Sequence, residues 1–334
     1  MNCWLAVAAV GAVVTTGCNT SERTNLSSSA LLSRAEAATA ETDYEGEMKT
    51  RTLINGQWIA SDVRAYFHKQ GMSRLEYMSP PMKGVVIVHS RDCAWRYDPA
   101  TGRVVVTPGA VRGTPERDFL TQKNYRIIAG AHVMIAGRDT LQIDVVPRNP
   151  GNPWRRFWMD TEKQVLLGWE HFNAQGHPKS VSQFESVEFK DVPGTLFEQP
   201  RETPAGLSPP WFSRPLSIPA LQKAVGFPLV MPALLPKGYR LEHNYLTQCE
   251  DGCGAAVALT LFTDGVNSLS FFQTSHPVPV SPHHDQHVLR LVRGGRNYIL
   301  VGDLDAKLLQ AVIDSIPTVP HLPDVSHHPA ALHQ

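Results

Sequence analysis

Three groups of residues in this chain could do chemistry, and each is local. Cys249 and Cys253 flank Glu250-Asp251-Gly252, a spacing compatible with a disulfide or with half of a metal site. A second ligand pair at zinc-site spacing is missing from the sequence. Strand-like segments lie on either side, so the pair is expected as a hairpin loop stapled in an oxidising compartment. So small a ring contributes only about 2 kcal/mol in the loop-entropy account, which makes its role the fixing of a turn. Eight of the 14 histidines fall between His276 and His333. In His283-His284-Asp285-Gln286-His287, a helix would put His283 and His287 on one face, where a transition metal could bind. Pro277, Pro279 and Pro282 impose an extended loop instead, and no metal is expected. The carboxylate pairs Glu185 with Glu188 and Asp303 with Asp305 are ordinary solvated acids unless a pocket encloses them. Nucleophile elbows, phosphate-cradling loops and His-Glu-x-x-His pairs do not occur. The expectation is a protein that binds and does not catalyse, without a cofactor.

Composition narrows the binding partner. The chain has 334 residues, enough for two domains, with 42% hydrophobic and 19% charged residues. Lys plus Arg is 31 and Asp plus Glu is 31, which gives no electrostatic footprint for a nucleic-acid backbone.

Trp4 to Thr16 is apolar or small throughout, but a bilayer-spanning helix needs roughly 20 such residues. The length suits the apolar core of a signal peptide. Gly17-Cys18 resembles the lipobox of bacterial lipoproteins, with Thr15 where Leu or Val is usual. That resemblance implies export, acylation at Cys18 and a membrane anchor on the periplasmic or extracellular side. Cys3 would leave with the leader, and Cys93 is expected as a buried apolar residue.

Residues 1–18 are thus a leader and 19–29 a Ser/Thr/Asn-rich tether. In Ala30 to Ala38, Leu31, Ala35 and Ala38 share one helical face. From Asp43 the apolar period changes to two. Tyr44 to Ile54, the Asn55-Gly56 turn and Trp58 to Lys69 form a hairpin, and short strands continue to Phe189. Tyr125 to Ala129 and His132 to Ala136 are expected as two of them. Leu141, Ile143 and Val145 alternate with Gln142 and Asp144, the mark of a sheet with one buried face. Thr114-Pro115-Glu116 starts the one inserted helix, with a capping hydroxyl and proline at the first helical position. The domain so defined spans residues 30–190. Residues 191–216 form a proline-rich linker, 217–316 a second, smaller α+β domain, and 317–334 a disordered tail. In the second domain Asp264-Gly265 is a turn, and Asp303 is expected to cap the closing helix to Ile316.

The order of elements and three segments carry a family resemblance. They are Gly137-Arg138-Asp139, Phe157-Trp158-Met159-Asp160-Thr161-Glu162-Lys163 and Phe184-Glu185-Ser186-Val187-Glu188-Phe189. Together they resemble the N-terminal domain of the RseB/MucB regulators of envelope-stress sigma factors. Leu235-Pro236-Lys237-Gly238-Tyr239 and the run from Val301-Gly302-Asp303-Leu304 to Ile316 resemble the C-terminal domain of that family. The resemblance implies a mainly β (α+β) first domain like the carriers LolA and LolB, a curled antiparallel half-barrel under a helical lid. It also implies a second domain that helps hold a membrane-bound anti-sigma factor and shields it from proteolysis.

A curled sheet with few helices is expected to leave part of its concave face uncovered. Acyl chains or apolar peptide would fill that space, each buried methylene contributing about 0.8 kcal/mol. Trp58, Tyr66, Tyr77, Met78, Met82, Trp95, Phe119, Trp158 and Trp169 are the candidate lining residues, with Met78 and Met82 beside Pro80-Pro81 as the rim. Two binding functions follow. One is an RseB-like regulator that binds an anti-sigma factor's exported segment; the alternative is a membrane-anchored LolA/LolB-like carrier or acceptor of lipid or lipoprotein.

Overall fold

The computed structural model describes residues 28–54, 56–90, 93–108, 114–198, 212–248, 255–277 and 287–318. The leader, Cys18, the Cys249 to Cys253 loop, His283 to Gln286 and the tail lie outside them.

Helix α1 (Ser28–Glu41) comes first, followed by β1 (Tyr44–Ile54), β2 (Gln57–His68), β3 (Met72–Tyr77), β4 (Val86–His89), β5 (Cys93–Asp98) and β6 (Arg103–Pro108). Helix α2 (Pro115–Asn124) then leads into β7 (Tyr125–Ile135), β8 (Arg138–Pro147), β9 (Trp154–Asp160), β10 (Leu166–Phe172) and β11 (Pro178–Glu188). These 11 strands form one antiparallel sheet in the order β6-β5-β4-β3-β2-β1-β11-β10-β9-β8-β7. Two meanders are therefore zipped together along β1 and β11, and β6 and β7 are the two edges.

Chain length alone forces this sheet to curl. Flat, its edge strands would stand roughly 48 Å apart. The path from Pro108 through α2 to Tyr125 can span only about 36 Å. The far end of β7 accordingly returns to β11, where Ile135 joins Tyr44, Met48, Phe67 and Phe184 in one buried cluster.

Pairing register separates the faces. Tyr44 and Met48 of β1, Val63, Ala65 and Phe67 of β2 and Phe184 of β11 point to the inner side. Helix α1 lies across that side. Ala35 packs on Ile143, Met159 and Leu166, while Leu32 packs on Tyr125 and Val145. Ile143, Val145 and Ala35 are all fully buried. The opposite face of β3 to β6 buries Val88, Trp95, Val104 and Val106 beneath Val192, Phe197 and Phe212. The stretch after β11 is thus a cover for the outer face as well as a connection.

A second, smaller lobe follows: α3 (Ile218–Val225), β12 (Arg240–Gln248), β13 (Ala256–Thr263), β14 (Ser268–Thr274), β15 (His287–Arg293), β16 (Arg296–Gly302) and α4 (Ala306–Asp314). Its sheet has the order β12-β13-β14-β16-β15. Leu304, Leu309, Val312 and Ile313 at α4 pack on Phe262, Leu269, Phe271 and Leu300.

Three expectations need correction. Tyr125 to Ile135 is one strand, bent by a bulge between Ala129 and His132, and not two. Helix α4 is capped by Asp305, whose carboxylate accepts from the Lys307 amide, so the helix begins two residues later than Asp303 implied. Cys93 is half-buried, with Ser90 beside it at 3.7 Å, and is not enclosed in the core.

The Gly137-Arg138 segment earns its place at the β7–β8 corner. Ala136 (φ 51°) and Gly137 (φ 72°) make the turn, and glycine carries the second left-handed position without Cβ strain. Arg138 is thereby aimed back at the sheet: its Nε donates to Asp160 at 2.5 Å, one Nη donates to Glu162 at 2.9 Å, and its guanidinium lies 5.1 Å from the Phe189 ring centre. Burial opposes ionisation of the Asp160 carboxyl. Arg138 and the Lys163 and Glu162 amides outweigh burial and hold it below the usual carboxylate range. A lowered carboxyl pKa stabilises the fold at pH above the unfolded value near 4, and this stabilisation is lost as pH falls through the folded value. Arg138→Ala should therefore lower stability by about 1–3 kcal/mol at neutral pH. It should also move the acid-unfolding midpoint to higher pH, as followed by circular dichroism.

Candidate functional site

The most highly organised cluster of polar groups lies where the two lobes meet. Asp264, in the turn between β13 and β14, is fully buried. Its Oδ1 accepts from the Val266 and Asn267 amides at 3.0 and 2.7 Å, which shapes the turn. Its Oδ2 accepts from across the joint: the Tyr125 hydroxyl donates at 2.5 Å and Asn152 Nδ2 at 2.9 Å. Asn124 Nδ2 donates to the Asp264 carbonyl at 2.8 Å and to the Gly238 carbonyl at 3.1 Å. Asn267 donates to the Tyr125 hydroxyl at 2.7 Å and accepts from Arg155 at 3.1 Å. Burial first, and Asp264 second, push the Tyr125 hydroxyl pKa well above its ordinary value. Tyr125 thus keeps its proton and can donate it. A buried carboxylate is tolerable here because donors surround it.

Backbone reaches backbone around this hub. Gly151, Gly238 and Gly265 have φ of 89°, 95° and 102°. A Cβ on Gly265 would sit 2.5 Å from the Thr121 amide nitrogen, and one on Gly238 would sit 2.6 Å from Asn124 Oδ1. A Cβ on Gly151 would run into Leu308 of α4, and the Gly151 carbonyl accepts from the Asp305 amide at 3.1 Å. Only glycine meets both the left-handed backbone and the lack of space. On the flank, Arg117 of α2 makes a two-pronged, largely buried ion pair with Glu242 of β12, at 2.5 and 2.8 Å.

A cavity of about 300 Å³ opens beside the hub. Trp154, stacked on Phe172 at 3.6 Å, forms one wall with Arg155 and Lys179; Asn267, His287 and Asp305 form the other. Arg155 is already tied to His171 and Asn267. The described residues contain no group of three metal-binding side chains. Held by these bonds, the side chains of the hub can clamp and orient the two lobes.

The aromatic and methionine candidates do not converge on one pocket. Tyr77 and Trp169 face the inner side, paired with Val63 and with Phe157 and Ser182. Trp58, Tyr66 and Trp95 occupy the opposite face by register, so they do not line the curl, whereas Trp158 belongs to the buried cluster of Tyr44, Met48, Phe67 and Phe184. Trp158 is buried opposite Gly168, where a Cβ would lie 2.9 Å from its ring. Met78 is exposed and Met82 half-buried in the loop after β3, and Phe119 is exposed on α2. Cys18, Cys249 and Cys253 fall outside the described residues. The groups missed by sequence reasoning are Asp264, Tyr125, Asn152 and Asn267. Asp264-Gly265 was recognisable as a turn, but nothing local marks its partners more than a hundred residues away.

The sequence profile of the MucB/RseB N-terminal domain matches residues 27–204, more than half of the chain. The chain belongs to the MucB/RseB family. Among solved structures, the Pseudomonas aeruginosa MucA/MucB complex aligns with TM-score 0.59 at 16% identity, over 88% of this chain and 99% of that one. A crystal structure of MucB in complex with MucA(peri) gives 0.58 at 16% identity, covering 88% and 100%. MucB alone gives 0.57 at 15%, covering 86% and 97%. At such identity the likeness establishes a shared fold, and it extends through both lobes. No curated protein sequence matches this chain.

Asp264→Ala leaves the Tyr125 hydroxyl and the Asn152 amide buried without their acceptor. It should cost about 2–4 kcal/mol and lower the melting temperature by several degrees, read by calorimetry. Lys237→Ala, a surface change on the same lobe, should stay within about 0.5 kcal/mol of the parent.

Proposed function

We propose that this chain is an exported, non-enzymatic regulator that binds the exported segment of an anti-sigma factor. The observation that carries the reading is the fold match to MucB through both lobes, seen in structures where MucB holds MucA. Membership in the MucB/RseB family supports it. Residues 30–190 and 217–316 would act as the two binding domains, with Cys18 as a lipid anchor and Cys249–Cys253 as a disulfide. The regulatory signal would be an acyl chain or apolar peptide entering the curl of the first sheet by displacing α1. Of the residues that seat that helix, Ala35 and Ala38 make small contacts, which cost less to give up than that of Leu32. The carrier reading is less favoured because the similar structures that hold a partner are of MucB with MucA, which speaks for a protein segment as ligand.

Affinity capture from detergent-solubilised membranes, with bound proteins and lipids both analysed by mass spectrometry, tests this directly. An anti-sigma factor should be recovered in amounts comparable to the bait. Recovery of lipid with no anti-sigma factor would replace the regulator with the carrier.

A further inference from the structure

Charge is segregated across the cavity beside the hub. Arg155 and Lys179 stand on the wall from the first lobe, and Asp303 and Asp305 on the wall from the second. Other half-buried arginines of this molecule have a carboxylate against them: Arg117, Arg138 and Arg156 meet theirs at 2.5, 2.5 and 2.7 Å. Arg155, next in sequence to one of these, is held instead by the His171 ring and the Asn267 side-chain oxygen. Lys179 is half-buried and has no hydrogen bond or ion pair among the described residues. Across from them, the Asp305 carboxylate accepts from the Gln175 side chain at 2.7 Å and from the Lys307 amide at 2.9 Å, and no cation among the described residues pairs with it.

Single charges exposed to water are ordinary, but here opposite charges converge on one concave space without meeting. A rounded space of 300 Å³ is roughly 8 Å across, well beyond the roughly 4 Å of an ion pair. The hub fixes the lobes, so the walls cannot close to pair. Two residues of extended chain reach about 7 Å. The Trp154 ring, stacked on Phe172, adds an apolar surface beside the two cations.

We propose that this cavity binds a short free peptide, a dipeptide zwitterion that bridges the lobes. Its carboxylate is held by Arg155 and Lys179, its ammonium by Asp303 and Asp305, and a large apolar C-terminal side chain packs on Trp154. The capacity is there: the Arg155 guanidinium has five N–H donors and uses two, and carboxylate oxygens accept more than one bond each. A single amino acid carries its two charges too close together to reach both walls, and an acyl chain offers no ammonium. The site is separate from the curl of the first sheet. No anti-sigma factor enters the argument, so the site stands or falls independently of the regulator reading.

Isothermal titration calorimetry of the mature chain with the dipeptide Gly-Phe reads the outcome. A ligand of this size is expected to bind with a dissociation constant of about 0.1–1 mM. Blocking either end, as N-acetyl-Gly-Phe or as Gly-Phe amide, should weaken binding about tenfold or more, because each leaves one wall unpaired. Phosphoethanolamine, which carries both charges without the side chain, should be weaker by a similar factor. Lys179→Gln should weaken Gly-Phe about fivefold or more with an unchanged circular dichroism melt, while Lys83→Gln, at an exposed position far along the chain, should leave binding as it is. The proposal is overturned if Gly-Phe gives no binding heat up to roughly 10 mM. It is overturned equally if the blocked dipeptides or Lys179→Gln bind as the parent pair does, or if phosphoethanolamine binds as tightly as Gly-Phe, which would assign the cavity to a lipid headgroup.

Discussion

A single buried carboxylate holds the two lobes of this molecule in fixed relation. Asp264 shapes its own turn through two backbone amides and offers its other oxygen to Tyr125 and Asn152 of the opposite lobe. A charge so placed is tolerated only while every donor stays in position, because water cannot reach it to replace a lost partner. The cost of separating the lobes is therefore the cost of stranding an ion. Close approach of Gly151, Gly238 and Gly265 to the opposite lobe makes the fit steric as well as electrostatic.

That constraint organises what lies on either side. In the first lobe Tyr125 ends α2 and starts β7, so the hub fixes the strand that closes the curl. The same residue packs against Leu32 of α1 and Val145 of β8. A movement of α1 out of the curl would loosen the seat of Tyr125, and with it the joint. The signal proposed for the curl thus has a short physical route to the second lobe, through one side chain that belongs to both the apolar core and the polar hub.

Much of this was legible in the sequence. Alternation in Leu141, Ile143 and Val145 marked the inner face correctly, Asn55-Gly56 marked the first hairpin, and Thr114-Pro115 marked α2. These signals are local, and local rules settled them. Facing was harder: a one-residue bulge reverses parity, and the sheet carries bulges at Glu47/Met48, Leu166/Gly168 and Ala129/His132. Trp58, Tyr66 and Trp95 looked like lining residues because side-chain type says nothing about which face a strand presents. The hub was invisible for a different reason. Asn124, Tyr125 and Asn152 meet Asp264 only after both sheets have formed, and no spacing in the chain announces such a meeting.

Hydrogen exchange at single amides across the joint tests the locked hub most directly. The Asp305 amide, which donates to the Gly151 carbonyl of the opposite lobe, and the Asn267 amide, which donates to Asp264, are the reporters. A rigid joint predicts that both exchange only through near-global opening, as slowly as the amides of the central strands. Exchange of the Asp305 amide at the rate of an exposed loop, while β1 and β11 stay protected, would show that the lobes part freely and would contradict the account.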